Sequence, residues 1–178
     1  MFAALVVALA GDVLASGRPA EAHDHAVPDT VLKKGDRTLQ AGRRVNESSW
    51  DAPTPDGGGC VNQNAIYAPG FPEVDRVAAG SELSVRIFKP QRPDSFAVVA
   101  NPKADDEGQP GGRAMTLPST LERVVQNGRT VAWDAVFSVE RPDRHYYLVT
   151  EGHWQDRQDC GVDQFTFWSF HVKTGSGS

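Results

Sequence analysis

Apolar and polar residues alternate along several short segments of this chain, and turn-forming residues separate these segments. Leu83, Val85 and Ile87 occupy every second position between polar residues, which is the pattern of a half-buried β-strand. The same alternation runs from Val131 to Val139, and the preceding Asn127-Gly128 is a favoured hairpin turn. A period of two residues fits a sheet and not a helix, so the pattern predicts an all-β chain.

Further strands complete a predicted set of about seven or eight; they lie at Leu39–Val45, Val61–Tyr67, Phe96–Ala100, Tyr146–Trp154 and Phe165–Val172. Ser119 has the side chain of a helix N-cap, but the Asn-Gly turn after the segment 119–126 favours a hairpin strand there. Short antiparallel strands with turns about every ten residues favour a two-sheet, immunoglobulin-like sandwich. A small closed barrel is the alternative.

The first 22 residues have the pattern of a secretory signal peptide, with an apolar run from Phe2 to Ala10 and a small-residue cleavage motif at Ala20-Glu21-Ala22. An N-terminal core helix is the alternative, but the run lacks the polar face of such a helix. Residues 23–37 show no periodicity and are predicted to be a flexible leader before a β-sandwich domain over 38–173. The ending 174–178 is typical of a linker or tag remnant. We therefore expect a secreted or cell-surface protein.

Charge and hydropathy exclude two classes of protein. The apolar run at the N-terminus is less than half of the ~20 residues that a membrane-spanning helix needs, so no transmembrane segment is predicted after signal removal. The chain has 18 basic and 23 acidic residues and a net charge of -5. Its longest basic clusters are the pairs Lys33-Lys34 and Arg43-Arg44, which argues against nucleic-acid binding.

Cys60 and Cys160 are the two cysteines of the chain. An even number of cysteines in an exported protein predicts a disulfide, which here would close a loop of about 100 residues. Metal ligation is less consistent with the sequence, because neither cysteine has a second cysteine or a histidine at the spacing of a zinc site.

Four features taken in order resemble a group of exported actinobacterial proteins of unassigned function: Trp50, the turn 57–60, the strand beginning at 79–85 and the turn 92–94. The resemblance implies an exported β-sandwich and no particular activity. In that group a cysteine often precedes the tryptophan, whereas this chain has Ser49. The cysteine of the Gly-Gly-Gly-Cys turn therefore lacks a local partner, which supports its pairing with Cys160.

Cleavage after residue 22 would leave His23-Asp24-His25 as the new N-terminus. The free amine, two backbone amides and the imidazole of His25 form a square plane of nitrogens, which suits Cu(II) or Ni(II). Alternatively, the amine and imidazole of His23 would chelate copper together with one remote histidine, for which the candidates are His145, His153 and His171. Copper is therefore an alternative cofactor, and solvated histidines in a leader are the simpler interpretation.

The late strands supply the candidate binding surface. Glu151 and His153 lie two positions apart, so they share one strand face with Tyr147, either as an acid/base or metal pair or as a plain polar face. Four aromatic residues suggest a platform for a sugar or a protein partner, or else a core; they are Tyr147, Trp154, Trp168 and Phe170. No Gly-x-Ser-x-Gly or His-Glu-x-x-His motif is present, so no catalytic residue is predicted. We expect a binding or structural module whose partner is a protein or a cell-wall glycan.

Overall fold

The structure is a computed structural model that describes residues 27–54, 56, 59–62, 65–155, 160 and 163–175. All regular secondary structure in these residues is β. The strands in chain order are β1 Thr30–Lys34, β2 Arg37–Ala41, β3 Arg43–Ser49, β4 Asp51–Pro53, β5 Cys60–Asn62, β6 Ala65–Tyr67, β7 Asp75–Ala78, β8 Ser81–Ile87, β9 Ser95–Asn101, β10 Lys103–Ala104, β11 Pro110–Gly111, β12 Met115–Leu117, β13 Thr120–Gln126, β14 Arg129–Val139, β15 His145–Gln155 and β16 Asp163–Gly175. Among the described residues there is no helix that could span a bilayer.

The first sheet has the order β13-β14-β8-β1-β2, and all of its pairings are antiparallel. The predicted strands at 81–87 and 131–139 are confirmed as β8 and β14, which pair with each other. Asn127 and Gly128 have φ angles of 51° and 76°, and two successive positive φ values fit the hairpin turn between β13 and β14. The helical alternative for 119–126 is therefore wrong, because this segment is a strand of a hairpin.

The second sheet has the order β12-β9-β15-β16-β3-β6. Its longest strand, β16, pairs with β15 on one side. On its other side β16 pairs first with β3 and then, beyond Ser169, in parallel with β7. β15 and β16 therefore lie at the centre of the sheet.

The two main sheets pack face to face around one hydrophobic core. Its largest fully buried side chains are those of Trp50, Trp154, Trp168 and Phe170. A Cβ atom on Gly152 would lie 2.7 Å from the indole of Trp154 and 3.1 Å from that of Trp168, so the tryptophans occupy the space above this glycine. The predicted sandwich is confirmed, and the closed barrel does not hold, because the described strands form two separate main sheets.

The predicted disulfide between Cys60 and Cys160 is confirmed, with 5.8 Å between the Cα atoms. It joins β5 to the connection between β15 and β16. In an antibody domain the disulfide instead crosses the core between the two sheets. The immunoglobulin-like character of this sandwich therefore stays a prediction.

Two predicted boundaries are wrong. The leader predicted over 23–37 includes β1, which lies between β8 and β2, and Leu32 of β1 is fully buried. The linker predicted over 174–178 begins with Thr174, which is also fully buried and belongs to β16. In both cases a short polar segment is held by pairing with a distant strand, which the local sequence does not reveal. The proposed signal peptide, His23, His25 and the last three residues lie outside the described residues.

We predict that reduction of the disulfide destabilises the folded protein without unfolding it. Opening a loop of 100 residues should lower the free energy of unfolding by up to about 4 to 5 kcal/mol. The β-sheet circular dichroism should persist in dilute buffer, because neither cysteine belongs to the hydrophobic core. Urea denaturation with and without dithiothreitol measures this effect.

The matched control is the double variant Cys60→Ser/Cys160→Ser, whose denaturation midpoint should not respond to dithiothreitol. An unchanged midpoint for the wild-type chain under full reduction would contradict the prediction.

Candidate functional site

The solvent-facing side of the first sheet carries an ion pair between half-buried valines, Val31 and Val136. Arg86 donates two hydrogen bonds to Asp134 on the neighbouring strand, from Nε to Oδ1 at 2.8 Å and from Nη2 to Oδ2 at 2.7 Å. This contact raises the pKa of the Arg86 guanidinium above its ordinary value. On the same face Glu82 stands opposite Ser138.

The solvent-facing side of the second sheet has a different composition. Along β15 and β16 the cross-strand neighbours on this side are Tyr147 with His171, Val149 with Ser169, Glu151 with Phe167, and His153 with Phe165. The alternation predicted for β15 is confirmed, since Tyr146, Leu148 and Trp154 point into the core. We call Val99, Val149, Phe165 and Phe167 the aromatic face. All four side chains are half-buried.

The connection between β6 and β7 covers one end of this side of the sheet. The Ser169 hydroxyl donates a 2.7 Å hydrogen bond to the Gly70 carbonyl, and the Phe71 ring meets Tyr147 edge-on with centroids 5.0 Å apart. Gln40 fixes the same segment, because its amide donates to the carbonyls of Glu73 and His171. The aromatic face lies further along β15 and β16, beyond these contacts.

His145 and His171 form a directly hydrogen-bonded pair at the covered end. His145 Nδ1 and His171 Nε2 are 2.9 Å apart. The ring centroids are 5.2 Å apart, which equals the distance between the two nitrogens plus the radius of each ring. The two nitrogens therefore point at each other. The ring of Tyr147 stacks on His171 at 4.1 Å between centroids.

The hydrogen bonds of this pair define its tautomers. His171 also hydrogen-bonds the backbone of Pro72. Proline has no backbone N–H, so its carbonyl accepts, and the donor is His171 Nδ1 because Nε2 faces His145. Nε2 of neutral His171 then accepts a hydrogen bond from the Nδ1–H of His145. The two hydrogen bonds therefore run in one direction, from the His145 donor through His171 to the Pro72 carbonyl.

Both imidazoles have a lowered pKa. Burial is the main cause for each ring; the charges of Lys173 and Arg76 add to it for His145, and His145 itself adds to it for His171. The pair is therefore neutral at pH 7. These two nitrogens point at each other, so each is already engaged in the hydrogen bond between the rings.

The described residues contain no group of three or more His, Cys, Asp or Glu that could hold a metal ion.

The copper hypothesis is not tested by these residues. Its principal ligands, His23 and His25, lie outside the described part of the chain. Of its remote histidines, His145 and His171 are bonded to each other, and His153 lies near Asp163. Copper binding at the processed N-terminus therefore stays a prediction.

The structure gives His153 a neighbour that the sequence did not indicate. Its Nε2 lies 3.6 Å from Asp163 Oδ2, across the β15–β16 ladder. The Asp163 side chain is 63% exposed, so the pair contributes little to stability. Glu151 shares the face of His153, as predicted, and is exposed. Only the strand register brings Asp163 here, and no local motif marks it.

The prediction that Trp154 and Trp168 belong to a binding surface is wrong. Both are fully buried, as is Phe170, and Trp154 meets Trp50 edge-on with centroids 5.4 Å apart. They alternate with the outward residues of β15 and β16, and the inner face of a central strand builds the core. Of the predicted aromatic platform only Tyr147 faces outward, and its ring is already stacked on His171.

Comparisons with protein-family models, curated proteins and solved structures found no match. The resemblance to exported actinobacterial proteins therefore stays a prediction.

We predict that the imidazole pair makes the fold sensitive to acid. Since burial lowers the pKa of both rings in the folded chain, the unfolded chain binds more protons as the pH falls below the ordinary value of 6.5. Stability should therefore be complete above that pH and fall as the pH drops toward the folded pKa values. Thermal unfolding from pH 8 to pH 5 measures this loss, which His171→Gln should reduce.

His153→Gln is the matched control, because it removes an imidazole from the same sheet face and leaves the pair intact. It should retain the acid sensitivity of the wild-type chain. The same loss in His171→Gln as in the wild type would refute the assignment.

Proposed function

We propose that this protein is an exported β-sandwich that works as a binding module, and that it contacts a protein partner through the aromatic face. The observation that carries the proposal is the contrast between the two solvent-facing sides of the sandwich. One side has the Arg86–Asp134 ion pair between half-buried valines, whereas the other presents two half-buried phenyl rings, Phe165 and Phe167, beside two valines. Contiguous apolar side chains with a polar rim are typical of interaction surfaces.

The rim of the aromatic face is suited to selective contact. Glu151 stands opposite Phe167, and His153 stands opposite Phe165 with Asp163 beside it. Apolar area at the centre supplies the favourable free energy of association, while charged groups at the edge select the partner. This arrangement favours a partner with an apolar centre and basic groups around it.

A protein partner fits this surface better than a glycan. A sugar ring stacks on a flat, accessible aromatic ring, but both candidate tryptophans are in the core. Phe165 and Phe167 are inclined by 75° to each other with centroids 6.1 Å apart, so they do not form one flat platform. Inclined phenyl rings interdigitate well with the side chains of a protein.

Export is part of the proposal, and two observations support it. The Cys60–Cys160 disulfide is of a kind that persists in oxidising compartments. The N-terminal apolar run and cleavage motif have the pattern of a signal peptide. A binding module outside the cytoplasm accounts for both.

Site-specific photo-crosslinking tests the proposed surface. A photoreactive phenylalanine analogue is placed at Phe167 or at Val149 in the exported protein, which is then irradiated in its own cells. We expect a discrete adduct of higher mass from both positions, identified by mass spectrometry, because these side chains would lie inside the interface.

The matched control places the analogue at Glu122, an exposed position on the first sheet. Equal adducts from this position, or no adduct from the aromatic face, would overturn the proposal. An adduct of twice the chain mass would identify the partner as a second copy. A protein that stays in the cytoplasm would refute the export component.

A further inference from the structure

A pocket of about 520 Å³ lies where the turn between β14 and β15 meets the ends of β9 and β12. Three arginines and a histidine line it together with apolar and amide side chains. We call it the arginine pocket; its principal lining residues are Asn101, Arg113, Met115, Arg141, Arg144 and His145. Its volume is in the range typical of small-molecule sites.

The charge in this pocket is unbalanced. None of the carboxylates in the described part of the chain forms an ion pair with Arg113, Arg141 or Arg144. All three arginines are exposed, and they give this concavity a local positive charge although the whole chain has a net charge of -5. The three guanidinium groups would attract an anion bound among them. The planar guanidinium matches carboxylate, phosphate and sulfate groups with two parallel hydrogen bonds.

The backbone that carries two of these arginines is held in place. The Arg141 N–H donates to the Tyr146 hydroxyl at 2.9 Å. The Thr174 hydroxyl donates to the Arg141 carbonyl at 2.6 Å and accepts from the Arg144 N–H at 3.1 Å. Thr174, at the end of β16, thus ties both ends of the turn to the second sheet. A fixed backbone lowers the entropic cost of binding.

The third arginine is positioned by a close backbone contact. Gly112 has a φ of 86°, and a Cβ atom on it would lie 2.6 Å from the ring of Pro102. Glycine therefore lets the segment before β12 pass against the segment after β9. Arg113 follows Gly112 directly and lines the pocket.

A second cleft of about 630 Å³ continues from the arginine pocket between the edge strands β12 and β13. The two share Met115, Arg141 and Tyr146. The second cleft has apolar walls that include Leu117 and Phe137, and its charged residues besides Arg141 are Glu82 and Glu140. The combined groove therefore has a basic part, the arginine pocket, and a second part with apolar walls and two glutamates.

From this polarity we propose that the arginine pocket binds the anionic group of a small amphipathic ligand whose apolar part lies in the neighbouring cleft. The shared chemistry is a carboxylate, phosphate or sulfate on an aliphatic or aromatic body. The two glutamates of the second cleft disfavour a second negative charge on that part of the ligand. This site is separate from the aromatic face, and neither proposal depends on the other.

Calorimetric titration with octanoate, octyl phosphate, octyl sulfate, 1-octanol and inorganic phosphate tests the proposal. We expect at least one of the three octyl anions to bind, and 1-octanol and inorganic phosphate each to bind at least about tenfold more weakly than that anion. Comparison among the three anions identifies the preferred headgroup. No binding by any octyl anion would overturn the proposal, as would equal binding of 1-octanol. Equal binding of inorganic phosphate would overturn the assignment of the second cleft.

Two pairs of variants locate the site. Arg144→Gln should weaken the best anion about tenfold, whereas Arg123→Gln, at an exposed arginine of β13, should not change its affinity. Met115→Glu should abolish anion binding by repulsion, whereas Met115→Gln should retain most of it. Circular dichroism and thermal unfolding confirm that each variant is folded. Unchanged affinity in both Arg144→Gln and Met115→Glu would refute the assigned pocket.

Discussion

The pairing of β15 with β16 is the constraint on which the rest of the sandwich depends. Every residue of the 11-residue strand β15 has a partner in β16. Because side chains alternate between the two sides of a strand, this one register decides which residues enter the core and which face the solvent. A shift of β15 by one residue would turn Trp154 outward and place Glu151 and His153 inside. The register is therefore strongly specified by burial.

The same ladder assembles the chemistry of the outer side. It brings His145 and His171 into direct hydrogen bonding, places His153 beside Asp163, and aligns the phenyl rings of the aromatic face. Its end at Thr174 also holds the turn that carries Arg141 and Arg144. The core, the aromatic face and the arginine pocket thus all depend on one pair of strands.

Local patterns in the sequence were sufficient for some elements and not for others. Strict alternation predicts β8 and β14, the Asn-Gly turn predicts the hairpin before β14, and the count of cysteines predicts the disulfide. Each of these signals is contained in a few residues. By contrast, β1 and the end of β16 are short polar segments that become strands because a distant strand pairs with them. Residue patterns contain no direct information about such partners.

The candidate sites show the same division. The sequence places Glu151, His153 and Tyr147 on one face, and the structure confirms it. It does not predict the histidine pair, because 26 residues separate His145 from His171. It also leaves open whether Trp154 and Trp168 face a ligand or the core. Alternation shows which residues share one side of a strand, but not which side is buried.

The free energies of unfolding of Phe167→Ala and Trp168→Ala test the central claim most directly, because the two residues are adjacent on β16 and face opposite sides. The account predicts a loss of about 3 to 5 kcal/mol for Trp168→Ala, whose indole is fully buried. For Phe167→Ala it predicts a loss of about 1 kcal/mol or less, since that ring is half-buried on the solvent-facing side. Equal losses at the two positions would contradict the division of β16 into a core side and a solvent-facing side.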